Sequence, residues 1–464
     1  MLDKQLVYDV LTAAMSTGGD LAEVFVENTA KDTINMLNGQ VEKANWGIDA
    51  GLGLRIIFGT SAVYAYTNNT TRDSLLKLAK DAAQAVKASI KSGSAVNQVI
   101  SAVSPVKYAD IVKIPPEKVG KKAIVDVLRT ASQASYDYDP LVTQTSGIYL
   151  HVDQSVLIAN TSGVWAEDRR VRSRVVFGAV ASSGNEKQTG TQTPGAKGGF
   201  EVIEAQNIVE LGKKAAQTAV TMLKADLCPS GKMPVIIENA FGGVIFHEAC
   251  AHSLEATSVA KGASTFAGKL GQAIAEPCVS AVDDGTLPGE WGTLNVDDEG
   301  TPTRRNVLIE NGILKSYLVD HLNGIKMGMP STGSGRRESY RFAPTSRMTN
   351  TYILPGKEKP EAIIADTETG LYAKQMGGGS VDPASGDFNF AVLEGYMIRN
   401  GKIAEPVRGA TLIGKGHEVL HDIDRVADNF DYAQGMCGSI SGSVPTNCGQ
   451  PLIRVKEMTV GGRK

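Results

Sequence analysis

The sequence predicts an α+β fold: two units of helix and β-meander, followed by a β-rich C-terminal domain that carries a metal-site helix. Three observations support this. Stretches alternating apolar with polar residues, the pattern of half-buried strands, recur between segments of helical period. The order helix, strands, helix occurs twice before residue 226. A paired His-Glu and a second His, in His247-Glu248-Ala249-Cys250-Ala251-His252, lie in an apolar segment near the start of the third unit. At 464 residues the chain exceeds one comfortable core, so three units are expected, over 1–95, 115–226 and 228–464.

In chain order, Leu2, Leu6, Val7, Val10 and Leu11 fit one face of a short helix. Leu21 to Glu27 and Lys31 to Leu37 alternate as strands, and Gly51 to Phe58 and Ala62 to Tyr66 extend the meander. Gly51-Leu52-Gly53 opens no helix, so it reads as glycines in a twisted strand rather than a nucleotide loop. Thr70 or Thr71 caps a helix running to about Ser89, and residues 93–117 read as a linker. The second unit has a helix near Glu117–Ser135, strands at Leu141–His151, Ser155–Asn160 and Arg170–Val180, a Gly/Thr/Gln-rich loop at 184–199 and a helix at Ile208–Leu223. The repeated order suggests an internal duplication, although similarity at the residue level is too low to establish one. The third unit begins with the strand Pro234–Glu238, and Asn239 is placed to cap the helix bearing the histidines. Asn311-Gly312 and Asn400-Gly401, each between apolar runs, predict type I′ hairpins.

Composition narrows the function. The formal net charge is −3, so no basic field is present to hold nucleic acid. The run Glu167-Asp168-Arg169-Arg170-Val171-Arg172 reads as a solvated strand face. No apolar run is long enough to cross a membrane. Five scattered cysteines in a chain with no recognisable signal peptide favour reduced thiols and a cytoplasmic location.

His247 and His252 can hold a divalent ion, and Glu248 can take a proton from water on it. The spacing is i, i+5, however. At roughly 100° per residue the two imidazoles would point about 140° apart on a regular α-helix. The motif therefore predicts a distorted helix, or one ending near His252. A catalytic zinc usually takes three protein ligands. Cys250, Glu255, His321, His417, His421, Cys437 and Cys448 are candidates for the third. Cys250 reads better as a small buried hydrophobe, and Glu255 could instead accept a hydrogen bond from an imidazole N–H. Met436-Cys437-Gly438 is attractive because a thiolate on a tight turn can approach an ion closely, but spacing alone does not choose it over Cys448.

These residues resemble the TldD/PmbA family of metallopeptidases, on the TldD side. The resemblance runs through His247-Glu248-x-x-x-His252, Val296-Asp297-Asp298-Glu299-Gly300-Thr301-Pro302 and Ile309-Glu310-Asn311-Gly312-Ile313-Leu314. It continues in Gly335-Arg336-Arg337-Glu338-Ser339-Tyr340, Arg347-Met348-Thr349-Asn350-Thr351, Gly377-Gly378-Gly379, Gly409-Ala410-Thr411-Leu412-Ile413-Gly414 and Met436-Cys437-Gly438, and reaches Gly449-Gln450-Pro451 and Thr459-Val460-Gly461-Gly462. It implies one zinc ion per catalytic subunit, held by His247, His252 and Cys437, with water on the zinc attacking a peptide carbonyl and Glu248 as general base. It further implies a homodimer, or a heterodimer with a PmbA-like subunit, enclosing a cavity in which unfolded peptides are cleaved. The sequence departs from the family at Ala251, where glycine is common and alanine constrains the backbone more. The alternative is a non-catalytic peptide-binding or regulatory subunit of such a complex. Gly377, Gly378 and Gly379 would expose backbone groups along which a peptide could pair as an added strand. Arg336 and Arg337 read as a surface loop, with a peptide carboxylate or Glu338 as the alternative partner. Asp297-Asp298-Glu299 reads as a capped turn rather than a second metal site.

Overall fold

Strands far longer than the usual five or six residues shape the first half of the molecule. The computed structural model describes residues 2–89, 106–382 and 385–462. Leu21–Leu37 pairs antiparallel with Gln40–Phe58 on one side and with Val142–Asn160 on the other, which in turn pairs with Trp165–Ser183. Strands from both N-terminal segments thus share one sheet. The breaks expected near residues 28–30 and 152–154 are absent. Polar residues interrupt the apolar alternation there, but the ladder continues, and Gln154 Nε2 donates to Glu27 Oε1 at 2.9 Å across it.

Helices cover one face of this sheet. Lys4–Ala14, capped by Asp3, and Arg72–Ser89 bury Val7, Val10, Leu11, Leu75 and Ala79 against Val24, Leu52 and Leu54. Lys121–Tyr136 and Ile208–Lys224 continue the layer, with Ile124 and Leu128 packed on Ile34, Tyr149 and Phe177. Two expectations are corrected here. Part of the expected linker is the strand Val106–Ala109, parallel to Trp165–Ser183; residues 93–105 of it lie outside the described residues. The expected loop at 184–199 contains strands Glu186–Gln192 and Gly195–Lys197, whose polar composition hid their pairing.

Among the described residues the C-terminal unit holds two larger sheets and a two-stranded ladder of Gly335–Arg336 with Thr345–Ser346. Strands Gly231–Ile237, Ile453–Gly461, Thr411–Lys415, Asp387–Arg399 and Thr369–Val381 pair in a closed ring. The other sheet runs from Ile313–Leu314 through Arg305–Glu310, Ala281–Asp284, Asn350–Ile353 and Gly442–Gln450 to Asp431–Ser439 at its edge. Asn311-Gly312 and Asn400-Gly401 are tight turns with both residues at positive φ, as expected, and Asn38-Gly39 is a third. Among the described residues no helix is long and apolar enough to cross a membrane.

The other face of the N-terminal sheet meets the C-terminal unit through buried charge. Arg55 Nη2 donates to Glu23 Oε2 at 2.9 Å and to Glu299 Oε1 at 2.6 Å, and Arg337 Nη2 donates to Glu23 Oε1 at 2.7 Å. Arg170 pairs with Asp168 and Asp298. Asp297 closes the acidic turn by accepting from the Glu299 and Thr301 amides, so a capped turn forms there as expected. The basic run and the Arg336-Arg337 pair were both expected at the surface. Instead Arg170, Arg172, Arg336 and Arg337 are each under 5% exposed. Their partners lie more than a hundred residues away in several cases, out of reach of a local charge pattern. Gly51 and Gly53 allow the close approach: a Cβ on Gly51 would stand 2.3 Å from the Tyr340 ring.

Candidate metal centre

The chain reaches the centre through a strained turn. After the strand Gly231–Ile237, Ala240 takes φ of 56°, costly for a residue with a Cβ. Ala240–Gly243 form a single 3₁₀ turn, and Val244–Ala249 form a short α-helix. The expected Asn239 side-chain cap is not made. Asn239 Nδ2 donates instead to the Asn429 carbonyl at 3.1 Å. Val244, Ile245 and Phe246 anchor the helix in the main C-terminal core. Gly243 lets the hairpin strand Gly442–Gln450 pass close by, since a Cβ there would lie 2.6 Å from the Gly449 oxygen.

The i, i+5 spacing is resolved by a break. Cys250, at φ −126° and ψ −52°, ends the α-helix, and Ala251–Leu254 continue as a 3₁₀ turn. This is the distortion that the spacing predicts. Ala251 is not among the residues at positive φ, so alanine is accommodated there. The rings of His247 and His252 lie 5.2 Å apart and nearly perpendicular. Cys437, on the edge strand Asp431–Ser439, reaches between them, with its Sγ 3.2 Å from each Nε2. The three ligand atoms lie within 4.8 Å of one another, and all three residues are buried. Glu248 stays about a quarter exposed, its Oε2 3.5 Å from His252 Nε2.

The other candidates stand outside this group. Cys250 turns away to the Gly416 carbonyl, and burial raises its thiol pKa. His417 and His421 lie on the helix Gly416–Asp422, and His321 begins the helix His321–Met327. Cys448 is on the neighbouring strand, opposite Ala433, close enough to act on His247 but not part of the mutually close set. Glu255 supports the group from behind, with Oε2 3.3 Å from His252 Nδ1, the kind of contact that fixes a ligating imidazole. Arg347, to which the sequence assigned no role, is fully buried and donates to the Cys437 carbonyl and to the Gly442 carbonyl at 2.9 Å. The resemblance runs through Arg347, but its role is not readable locally, since its partners lie about ninety residues on.

Burial alone would lower the pKa values of both imidazoles, but nearby sulfur and carboxylate reverse this. His247 is raised well above its usual value beside Cys448 and Cys437, and His252 to about 10 beside Glu255 and Cys437. Burial would raise the Cys437 thiol, yet the two imidazoles hold it well below its usual range. The group thus favours a thiolate between two cations. A divalent ion replacing the two imidazolium protons keeps the same net charge and meets two nitrogens and a sulfur, a donor set that suits zinc. The residues present therefore fit such an ion.

The glycine stretch belongs to the strand Thr369–Val381, whose pairing with Asp387–Arg399 is irregular between Met376 and Gly379. Pairing to Gly231–Ile237 on its other side covers only Leu371–Ala373. Gly377 is buried, whereas Gly378 and Gly379 are exposed. Gly377 and Gly378 line a hollow of about 550 Å³ that also touches Asn239 and Phe241, ahead of the histidine helix.

Profiles of three PmbA/TldA metallopeptidase domains match the chain in order: domain 1 over residues 22–86, the central domain over 114–223 and the C-terminal domain over 230–462. The chain is 36% identical to the "Metalloprotease TldD homolog" of Haemophilus influenzae, with 99% of this chain and 97% of that protein aligned. It is 24% identical to the "Zinc metalloprotease TldD homolog" of Saccharolobus solfataricus, over 98% of this chain and all of that one. Its fold resembles the crystal structure of TldE from Thermococcus kodakarensis, with a TM-score of 0.78 at 18% identity, covering 98% of this chain and 100% of that one.

Proposed function

The chain belongs to the TldD/PmbA metallopeptidase family, and from that premise we propose that it is a zinc-dependent peptidase acting on extended, unfolded peptides. The observation that carries this reading is the buried His247, His252 and Cys437 group with Glu248 beside it. Those three residues would hold the ion. Bound there, zinc supplies a Lewis acid that polarises the scissile carbonyl and makes water more acidic.

The rest of the chemistry falls to the protein. Glu248, partly exposed and close to His252, takes a proton from the attacking water and returns it to the leaving amine. Glu255 accepts from His252 Nδ1, which leaves Nε2 free to act as a ligand. Arg347 holds the Cys437 backbone, so the thiolate keeps its place between the imidazoles. The open side of the strand beyond Ala373 would take a peptide as an added strand along Gly377, Gly378 and Gly379, with open space beside Gly378. An enclosing partner, either a second copy or a PmbA-like subunit, is supported by exposed Val41, Trp46 and Ile48 on one long strand.

The decisive experiment pairs metal analysis with peptide turnover. Glu248→Gln should keep stoichiometric zinc and lose about 10²–10⁴-fold in cleavage rate, the usual contribution of a positioned general base. Turnover at the unmodified rate would remove the proposed role of Glu248. A metal-replete native protein that cleaves no unfolded peptide would favour the regulatory-subunit reading.

A further inference from the structure

A sizeable cavity lies away from the ligand atoms of the metal centre. It lies between the N-terminal sheet and the C-terminal unit, measures about 820 Å³ and is open to solvent on the side of the exposed Trp46 and Ile48. Met436 and Pro445 reach its wall from the same hairpin that carries Cys437, so the cavity and the metal centre share one structural element.

Two of the arginines lining it lack a counter-ion. Arg172 donates through Nε to the Trp291 carbonyl at 2.8 Å and through Nη2 to the Thr293 carbonyl at 3.1 Å. Arg336 donates to the Met348 carbonyl and, at 2.8 Å, to the Pro445 carbonyl, while its Nε has no partner. Both are at least nine-tenths buried, and neither forms an ion pair with a described carboxylate. The carboxylates on the wall are already engaged. Asp298 is taken by Arg170 and by the Arg337 amide, and Asp49 by Arg341. Glu338 accepts from the Ser443 amide, and Glu27 from Thr29, Gln154 and the Tyr340 amide.

A buried guanidinium served only by carbonyls is costly, and burial pushes Arg172 down to about 10 and Arg336 to about 9. Arg172 also feels the charge of Arg170, and Arg336 those of Arg172, Arg347 and Arg170, so an anion in the cavity that both line would relieve them. A planar guanidinium fork matches a carboxylate well. Among polar neighbours such as Thr29, Asn45 and Gln154, the wall also carries an apolar stretch of Leu150, Val152, Leu294 and Trp291, which a small inorganic anion would not need. We propose that this cavity binds the free C-terminal carboxylate of a short peptide, taken by Arg172 and Arg336, with the adjoining side chains against the apolar wall. The carboxylate site rests on the place of the two arginines in the cavity wall and their lack of ion pairs; the choice of a peptide as its bearer rests on the peptidase reading.

Two of the three tryptophans, Trp46 and Trp291, line the cavity, so intrinsic fluorescence reports its occupancy. The full-length, zinc-loaded Glu248→Gln protein should be titrated with two peptides identical except for a C-terminal carboxylate or carboxamide. We expect the acid to bind at least about tenfold tighter, and Arg172→Gln or Arg336→Gln to erase that preference. Equal affinity for the two peptides would overturn the proposal without any variant. So would a preference retained in both arginine variants. Inorganic phosphate displacing the acid peptide at equal concentration would reassign the cavity to a simple anion and overturn the peptide assignment. Binding is read without cleavage, so an inactive native protein would count against the peptidase reading and not against this site.

Discussion

At the contact between the N-terminal sheet and the C-terminal unit, the buried carboxylates Glu23, Glu299, Asp168 and Asp298 are each closed by an arginine of the protein itself, whereas buried charge at the metal centre is left for something else. In the contact, Glu23 meets Arg55 and Arg337, Glu299 meets Arg55, and Asp168 and Asp298 meet Arg170. In the centre, one sulfur sits between two imidazoles, and His247 Nδ1 has no hydrogen-bond partner. The first arrangement holds two parts of the molecule in register. The second holds its atoms close and its valences open, as a binding site must. Burial alone does not separate a structural charge from a functional one; what separates them is whether the protein supplies the counter-charge.

Several measurements would put this contrast to the test. The largest effect is expected at Cys437. Cys437→Ser should weaken zinc binding by at least about 10³-fold, a share of the ~10–16 kcal/mol that complete Cys/His zinc sites supply. Cys448→Ser should keep the metal, and quantitation on both variants decides between the two thiols. In the contact, Glu23→Gln leaves Arg55 and Arg337 short of a shared carboxylate. Chemical denaturation should show a loss of about 3–5 kcal/mol with the zinc content of the folded protein unchanged; loss of zinc from the folded protein would join the two regions instead.

A third test uses pH. Burial raises the Asp283 carboxyl from 3.8 to about 6, against the pull of hydrogen bonds from Thr349 and Thr351. Its folded-state value lies above its unfolded one, so its contribution to stability is complete below the unfolded value and is lost as pH rises through about 6. At about 1.4 kcal/mol per pKa unit this is about 3 kcal/mol, and Asp283→Asn should flatten that part of the stability–pH curve. The smallest effect is expected at Glu255. Removing its contact with His252 in Glu255→Gln should cost about 10–100-fold in zinc affinity, read by competition with a chelator.

The candidate metal group was easy to find because His247, Glu248 and His252 lie within six consecutive residues, and their spacing foretold the break at Cys250. Residue chemistry alone kept Cys437 and Cys448 level; the resemblance favoured Cys437, and the geometry brings Cys437 into the group. The α+β class and the Asn-Gly turns at 311–312 and 400–401 were readable because each rests on neighbouring residues, although Asn38-Gly39, an identical signal, went unread. What stayed hidden was non-local. The charges of Arg170 and Arg172 look solvated until strands over a hundred residues away close over them. The continuous strands Leu21–Leu37 and Val142–Asn160 looked broken because polar residues in mid-strand are satisfied by each other.

The separation of the triad along the chain also has a consequence in time. Cys437 lies 190 residues after His247. At ~5–20 residues per second, a growing chain carries its histidines for roughly ten to forty seconds before the thiol is made. Until then Glu248, the proposed general base, has no complete ion site beside it. A peptidase whose substrates are unfolded chains would thus be inert while it is itself one, and ribosome-held chains that end before residue 437 should carry no tightly bound zinc.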